Sequence, residues 1–169
     1  MRSVWLLAFV LEVCPLKANA TQRPSANRNV DSGHSHADQR SSFVSSKITM
    51  KIDAAKYWNH TGMLLESGAS YDLIATGTWI DAGRSCGPDG YPKGNLFQDL
   101  FKCVRRSPAV QWFTLMGSVG CNRDTNFAIG SHLTYVAPRT GELVCFANDV
   151  PGFYWNNGGF VTLEVRRIR

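Results

Sequence analysis

The sequence predicts an all-β fold, a sandwich of jelly-roll type, from three observations. Several short stretches alternate polar with apolar residues at the period of two that a half-buried strand imposes. Clusters of Gly, Pro and Asn separate these stretches, as hairpin connections do. Only one segment carries a helical stripe, so helices are too few to cover a sheet and a second sheet must do so.

Taken in order, "KITMKID" (Lys47–Asp53) alternates cleanly and "SYDLIATGTW" (Ser70–Trp79) less so. "VQWFTLMGSV", "NFAIG", "LTYVAP", "GELVCFAND" and "GFVTLEVRRI" follow, each bounded by turn residues. The helical candidate is "NLFQDLFKCVRR" (Asn95–Arg106), where Leu96, Leu100 and Val104 share an i, i+4 stripe that ends before Ser107-Pro108. No internal repeat is present.

Residues 1–20 read as an export signal, with Arg2 before an apolar run (Val4–Val13) and a small-residue cleavage site at Ala18-Asn19-Ala20. That run is about half the roughly twenty residues of a membrane span, so a secreted or periplasmic location is expected, without membrane insertion. Val13 is larger than the residue that precedes a lipoprotein cysteine, so cleavage after Ala20 is expected rather than lipidation at Cys14. Residues 21–43 form the expected disordered linker: Thr21–Ser42 holds one β-branched aliphatic residue, Val30, and no aromatic ring. Its His34 and His36 lack fixed partners and make a poor metal site. Residues 44–169 are then one domain, long enough for a real core.

The net charge of +5 is modest and scattered, with clusters only at Arg105-Arg106 and Arg166–Arg169. Solvated surface charge accounts for these better than a nucleic-acid patch. Beyond Cys14, the cysteines are Cys86, Cys103, Cys121 and Cys145. An oxidising compartment permits disulfides among them in three connectivities. A Cys86–Cys103 pair is favoured, and Cys145, inside an apolar strand, reads as a buried free thiol.

No catalytic motif emerges. His60 and His132 have no nucleophile in an elbow context, and both read as structural or surface histidines. Asp81, Asp89, Asp124 and Asp149 fall near turns, but nothing in the sequence selects the pair of carboxylates that a glycosidase requires. Asn59-His60-Thr61 is a formal glycosylation sequon, relevant only in a eukaryotic secretory pathway.

The segment "NDVPGFYWNNGG" (Asn148–Gly159) concentrates oxygen donors. Calcium takes six to eight oxygens from carboxylates, side-chain amides and backbone carbonyls. Asp149 can give a carboxylate, Asn156 and Asn157 amide oxygens, while Pro151-Gly152 turns the chain back toward Asp149. An adjacent Asn pair serves one site only if the backbone kinks there. On composition alone a plain hairpin turn is the better reading, because polar turns are common and calcium loops rare.

This segment resembles the signature N-D-V-P-G-x-Y-x-N-N-S-G of the PA-IL family, calcium-dependent galactophilic lectins with a small jelly-roll fold. It matches at Asn148, Asp149, Val150, Pro151, Gly152, Tyr154, Asn156, Asn157 and Gly159, with Gly158 where serine is usual. "TGTWIDAG" (Thr76–Gly83), "CGPDG" (Cys86–Gly90) and "YPKGNL" (Tyr91–Leu96) correspond to upstream family segments. The resemblance implies calcium held by the side chains of Asp149, Asn156 and Asn157 and the carbonyls of Ala82 and Phe153. It further implies a carbohydrate, galactoside-like or another glycan, touching Tyr91, Pro92, Asp149, Val150, Phe153 and Asn156.

The family's sugar-contacting His-Pro-x-Gln reads here as Tyr91-Pro92-Lys93-Gly94, so its glutamine amide is absent at that position. Phe153 and Trp155 add aromatic faces that suit either a pyranose or a homo-oligomer contact. Residues 97–111 form a longer connection than the family's. The resulting expectation is an exported, non-enzymatic, calcium-dependent lectin. A calcium-stabilised adhesion module and, last, a glycan-processing enzyme are the alternatives.

Overall fold

Antiparallel strands account for about half of the residues that a computed structural model of the protein describes, 47–94 and 96–169. The expected signal peptide and linker, with Cys14, His34 and His36, lie outside them. In chain order the strands are β1 (Lys47–Asp53), β2 (Asn59–Leu65), β3 (Ser70–Asp81), β4 (Arg84–Cys86), β5 (Leu115–Val119), β6 (Phe127–Ala128), β7 (His132–Val136), β8 (Gly141–Ala147) and β9 (Asn157–Arg167). One sheet runs β1-β9-β3-β4, with β7 also paired to β3, and the other runs β2-β8-β5-β6. Six of the eight connections between consecutive strands therefore pass from one sheet to the other, and the expected all-β sandwich is the fold observed.

Alternation decides which side chains meet between the sheets. Tyr71, Leu73, Ala75 and Trp79 of β3 and Val161, Leu163 and Val165 of β9 point inward, against Leu143, Cys145 and Ala147 of β8 and Leu115 and Val119 of β5. Each fully buried Leu or Val contributes about 1.5–3 kcal/mol. Trp79 and Phe113 meet edge to face with ring centroids 5.3 Å apart.

β8 is buried on both faces because the outside of its sheet is also covered. Arg106, expected on the surface, is buried there, its guanidinium 3.4 Å from the Phe146 ring centroid and 3.9 Å from that of Trp58. A flat, weakly hydrated guanidinium can exchange water for aromatic faces, which a lysine ammonium does less readily. Arg105 likewise lies 4.6 Å from the Trp112 ring centroid.

Two further expectations are corrected. The helix α1 spans only Leu96–Phe101 before a 3₁₀ turn, and Leu96, Leu100 and Val104 face outward, Leu96 with 92% exposure. So short a helix is held by the side chains it turns inward, Gln98 and Phe101, which leaves the apolar stripe on the far side. Cys86 and Cys103 are free thiols, so they form no disulfide with each other. Cys145 is the buried free thiol expected, and burial pushes its ionisation well above the ordinary thiol range.

The longest ladder sets the position of everything functional. β3 and β9 pair continuously from Tyr71↔Arg167 to Asp81↔Asn157. Its last rung thus brings an acid and an amide side by side at one end of the sandwich.

Candidate functional site

Beyond that rung, Ala82 and Gly83 both take positive φ, 46° and 89°, and turn the chain into β4. Left-handed backbone is unfavourable for alanine, by about 1–2 kcal/mol. From the other sheet, β8 delivers Asn148 and Asp149 to the same end. A turn closed by Phe153 N–H donating to the Val150 carbonyl (3.1 Å) leads into a single 3₁₀ turn, Tyr154–Asn156. Asn157 then resumes extended backbone with φ −88° and ψ 154°. That change of conformation between Asn156 and Asn157 is the kink that an adjacent amide pair needs.

Asp81, Ala82, Gln98, Phe101, Trp112, Asp149, Val150, Phe153 and Asn156 line one pocket of about 70 Å³. Since a water requires about 10–15 Å³, this space is large enough for several water-sized groups. Five of its lining residues, Ala82, Asp149, Val150, Phe153 and Asn156, are expected from the sequence, whereas Asn157, expected with them, is not part of the lining and lies behind Asp149, to which its amide donates.

The polar atoms around the pocket are unevenly partnered. Asp149 Oδ1 accepts from Val150 N–H at 2.7 Å and Oδ2 from Asn157 Nδ2 at 2.9 Å. The amide oxygens of Asn156 and Asn157 are both buried and accept no hydrogen bond. An unpaired buried acceptor costs about 1–3 kcal/mol, so two in adjacent residues need an explanation. Burial pushes the Asp149 carboxyl up to about 6, against the pull of its Asn157 and Val150 hydrogen bonds, and Asp81 nearby adds to the rise. Burial also raises Asp81, opposed by its hydrogen bond from Tyr91, the charge of Arg84 and the hydrogen bond from Gln98.

The Asp149 carboxylate and the two orphaned amide oxygens of Asn156 and Asn157 form an oxygen-rich cluster. Among the described residues no three His, Cys, Asp or Glu side chains converge. A soft-metal site of thiolates or imidazoles is therefore a poor match for this pocket, whereas amide, carboxylate and carbonyl oxygens suit a hard cation such as calcium. The Phe153 carbonyl accepts from Asn156 N–H at 3.3 Å.

Tyr91 and Pro92 are not brought to this pocket. Tyr91 is buried under the Arg84 guanidinium, 3.7 Å from its ring centroid, and its hydroxyl donates to Asp81 Oδ2. Burial, with the Asp81 carboxylate beside it, keeps that phenol protonated. Pro92 is exposed outside the lining. His60 and His132 also lie elsewhere, bonded to Glu142 Oε2 (3.0 Å) and Asp72 Oδ1 (2.8 Å).

Sequence reasoning did not assign Asp81, Gln98, Phe101 or Trp112 to the site. Gln98 Nε2 donates to Asp81 Oδ2 at 3.0 Å, so α1 supplies a glutamine amide although Gly94 has none. Gly94 makes room for it, because a Cβ there would fall 2.5 Å from Gln98 Cβ. Among the four acids near turns, only Asp81 and Asp149 converge. Asp89 is occupied by Ser131 N–H, which donates to Oδ1 at 2.7 Å.

No protein-family model matches the chain. Lectin A of Photorhabdus laumondii subsp. laumondii is 29% identical over 110 residues, covering 62% of this chain and 78% of the relative. Among solved structures, the EclA N-terminal domain, described as a PllA-like lectin, aligns with a TM-score of 0.54 at 22% identity, over 71% of this chain and 95% of that chain. That structural likeness concerns the fold. IMPa from Pseudomonas aeruginosa, solved in complex with an O-glycopeptide, aligns over 73% of this chain and 12% of that one with a TM-score of only 0.36, at 13% identity. The chain is thus similar in sequence to a lectin and in fold to a second protein described as one.

Proposed function

We propose that this protein is an exported, non-enzymatic carbohydrate-binding protein whose pocket holds calcium and, beside it, a glycan. The side chains of Asp149, Asn156 and Asn157 and the carbonyls of Ala82 and Phe153 would hold the ion. The observation that carries this is the pair of buried, unpartnered amide oxygens on Asn156 and Asn157 next to Asp149. The sequence similarity to Lectin A and the match to the PA-IL signature support the carbohydrate half.

Bound calcium supplies coordination positions that sugar hydroxyls can fill in place of water. The chain's own part is to hold the carboxylate and amides in register and to exclude bulk water. Asp149 can accept from a ligand hydroxyl and Asn156 Nδ2 can donate to one. Val150 and Phe153 offer apolar surface to the pyranose ring.

Calorimetric titration of chelator-treated protein with calcium tests the metal. Binding is expected in wild type and a loss of at least tenfold in Asp149→Ala; no binding by wild type would sink the claim. A glycan array read with and without chelator tests the sugar, and signals that ignore the chelator would separate glycan binding from calcium.

A further inference from the structure

We propose that Asp81 is a second recognition pole of the pocket, whose Oδ1 accepts a hydrogen bond from a hydroxyl or ammonium group of the bound glycan. This rests on the reading of the pocket as a glycan site and adds a contact on its α1 side. Asp81 is only 3% exposed, yet it lines the pocket. Its Oδ2 takes both available protein donors, the Tyr91 hydroxyl and Gln98 Nε2, and Gln98 Nε2 also reaches the Tyr91 hydroxyl at 2.7 Å. Two donors on one oxygen fix the plane of the carboxylate. Among the described residues no donor reaches the other oxygen, and Asp81 lines the cavity.

A purely structural acceptor for Tyr91 needs no charge, since a neutral amide would serve with less desolvation cost. A carboxylate is an acceptor-only group when ionised, and at a pocket wall it suits a ligand that brings donors. Phe101 and Trp112 line the same pocket, placing aromatic surface beside this acceptor. A ring with one apolar face and donating substituents at its edge, a hexose or a hexosamine, combines both demands.

The test uses Asp81→Asn, which keeps the shape and removes the charge. Three readings are taken: calcium affinity by calorimetry, affinity for methyl galactoside and for whichever array glycan wild type binds best, and melting temperature in chelator. An array carrying matched free-amine and N-acetylated hexosamines separates the two donor types. Calcium affinity within about threefold of wild type, with glycan affinity at least tenfold weaker, is expected. A larger loss for the free amine than for its N-acetyl partner identifies ammonium as the donor, and equal losses identify hydroxyl. Unchanged glycan affinity overturns the proposal, as does a parallel fall in calcium affinity, which would make Asp81 a cation ligand. Should Asp81→Asn fail to fold, Gln98→Ala decides: it removes one donor that orients Asp81, and several-fold weaker glycan binding at unchanged calcium affinity is expected. Gln98→Ala binding glycan as wild type does would then overturn it. A wild-type protein that binds no glycan overturns both readings, whereas glycan binding equal in wild type and Asp81→Asn overturns this one alone.

Discussion

Asn148 and Asn157 sit at the two ends of one short loop, both buried, and their side chains are used in opposite ways. Asn148 has no exposed surface and no spare bonding capacity toward the pocket. Its Oδ1 accepts from Ser107 N–H (3.0 Å), and its Nδ2 reaches the carbonyls of Ser107 (3.0 Å), Val110 (3.2 Å) and Gln111 (2.9 Å). Asn157 Nδ2 holds Asp149, but its Oδ1, like that of Asn156, accepts nothing. The same amide is scaffold in one place and an unmet acceptor in the other. Saturated polar groups tie the connection over residues 107–111 to the sandwich, whereas the unsaturated amide oxygens belong to the adjacent pair Asn156 and Asn157.

The largest expected effect is at Asn148. Asn148→Ala strips the buried loop carbonyls and an N–H of partners, so a loss of about 3–4 kcal/mol and a melting temperature lower by roughly 10 °C are expected. Asn157→Ala should instead leave the chelated protein within about 1 kcal/mol of wild type while weakening calcium binding at least tenfold. Thermal melts with and without calcium distinguish the two patterns, and equal destabilisation by both substitutions would erase the contrast.

Asp149 sharpens it through pH. Its carboxyl titrates near 6 in the folded chain, above its ordinary value of 3.8, so the folded state holds the proton longer than the unfolded state does. Its contribution to the stability of chelated protein is therefore greatest at acid pH and falls as pH rises from about 4 through 6. Asp149→Asn should remove that slope and raise stability at pH 7.5 by on the order of 2 kcal/mol in chelator, while abolishing the gain from calcium. A melt series from pH 4.5 to 7.5 in chelator reads both; a wild-type profile identical to that of Asp149→Asn counts against the shifted carboxyl.

The smallest expected effect is at Gly94. Gly94→Ala pushes against Gln98, so a few-fold weaker glycan affinity with calcium binding and melting near wild type is expected from calorimetry and melts.

Much of this site was legible because it lies within one contiguous segment. The oxygen chemistry of Asp149, Asn156 and Asn157 and the turn residues between them are local facts, and they led to the loop without knowledge of any partner strand. Asp81 was visible only as one of four acids near turns. Its selection depends on the Asp81↔Asn157 rung, a pairing between residues far apart in the chain. Gln98 was hidden for a related reason. Helical periodicity made Leu96, Leu100 and Val104 look like the buried face, but the pocket takes the Gln98 and Phe101 side instead. Tyr91 erred in the other direction, since an aromatic in a turn gives no sign that Arg84 and Asp81 will enclose it.

The sequence by itself determined the sandwich, through period-two alternation and turn chemistry, and the cluster of oxygen donors in the final hairpin, because both are properties of neighbouring residues. Tertiary structure alone decided which acids share the pocket, which asparagine is scaffold, and where Arg106 goes. Those outcomes depend on desolvation and on the pairing of side chains from opposite sheets, and neither exists until the strands have come together.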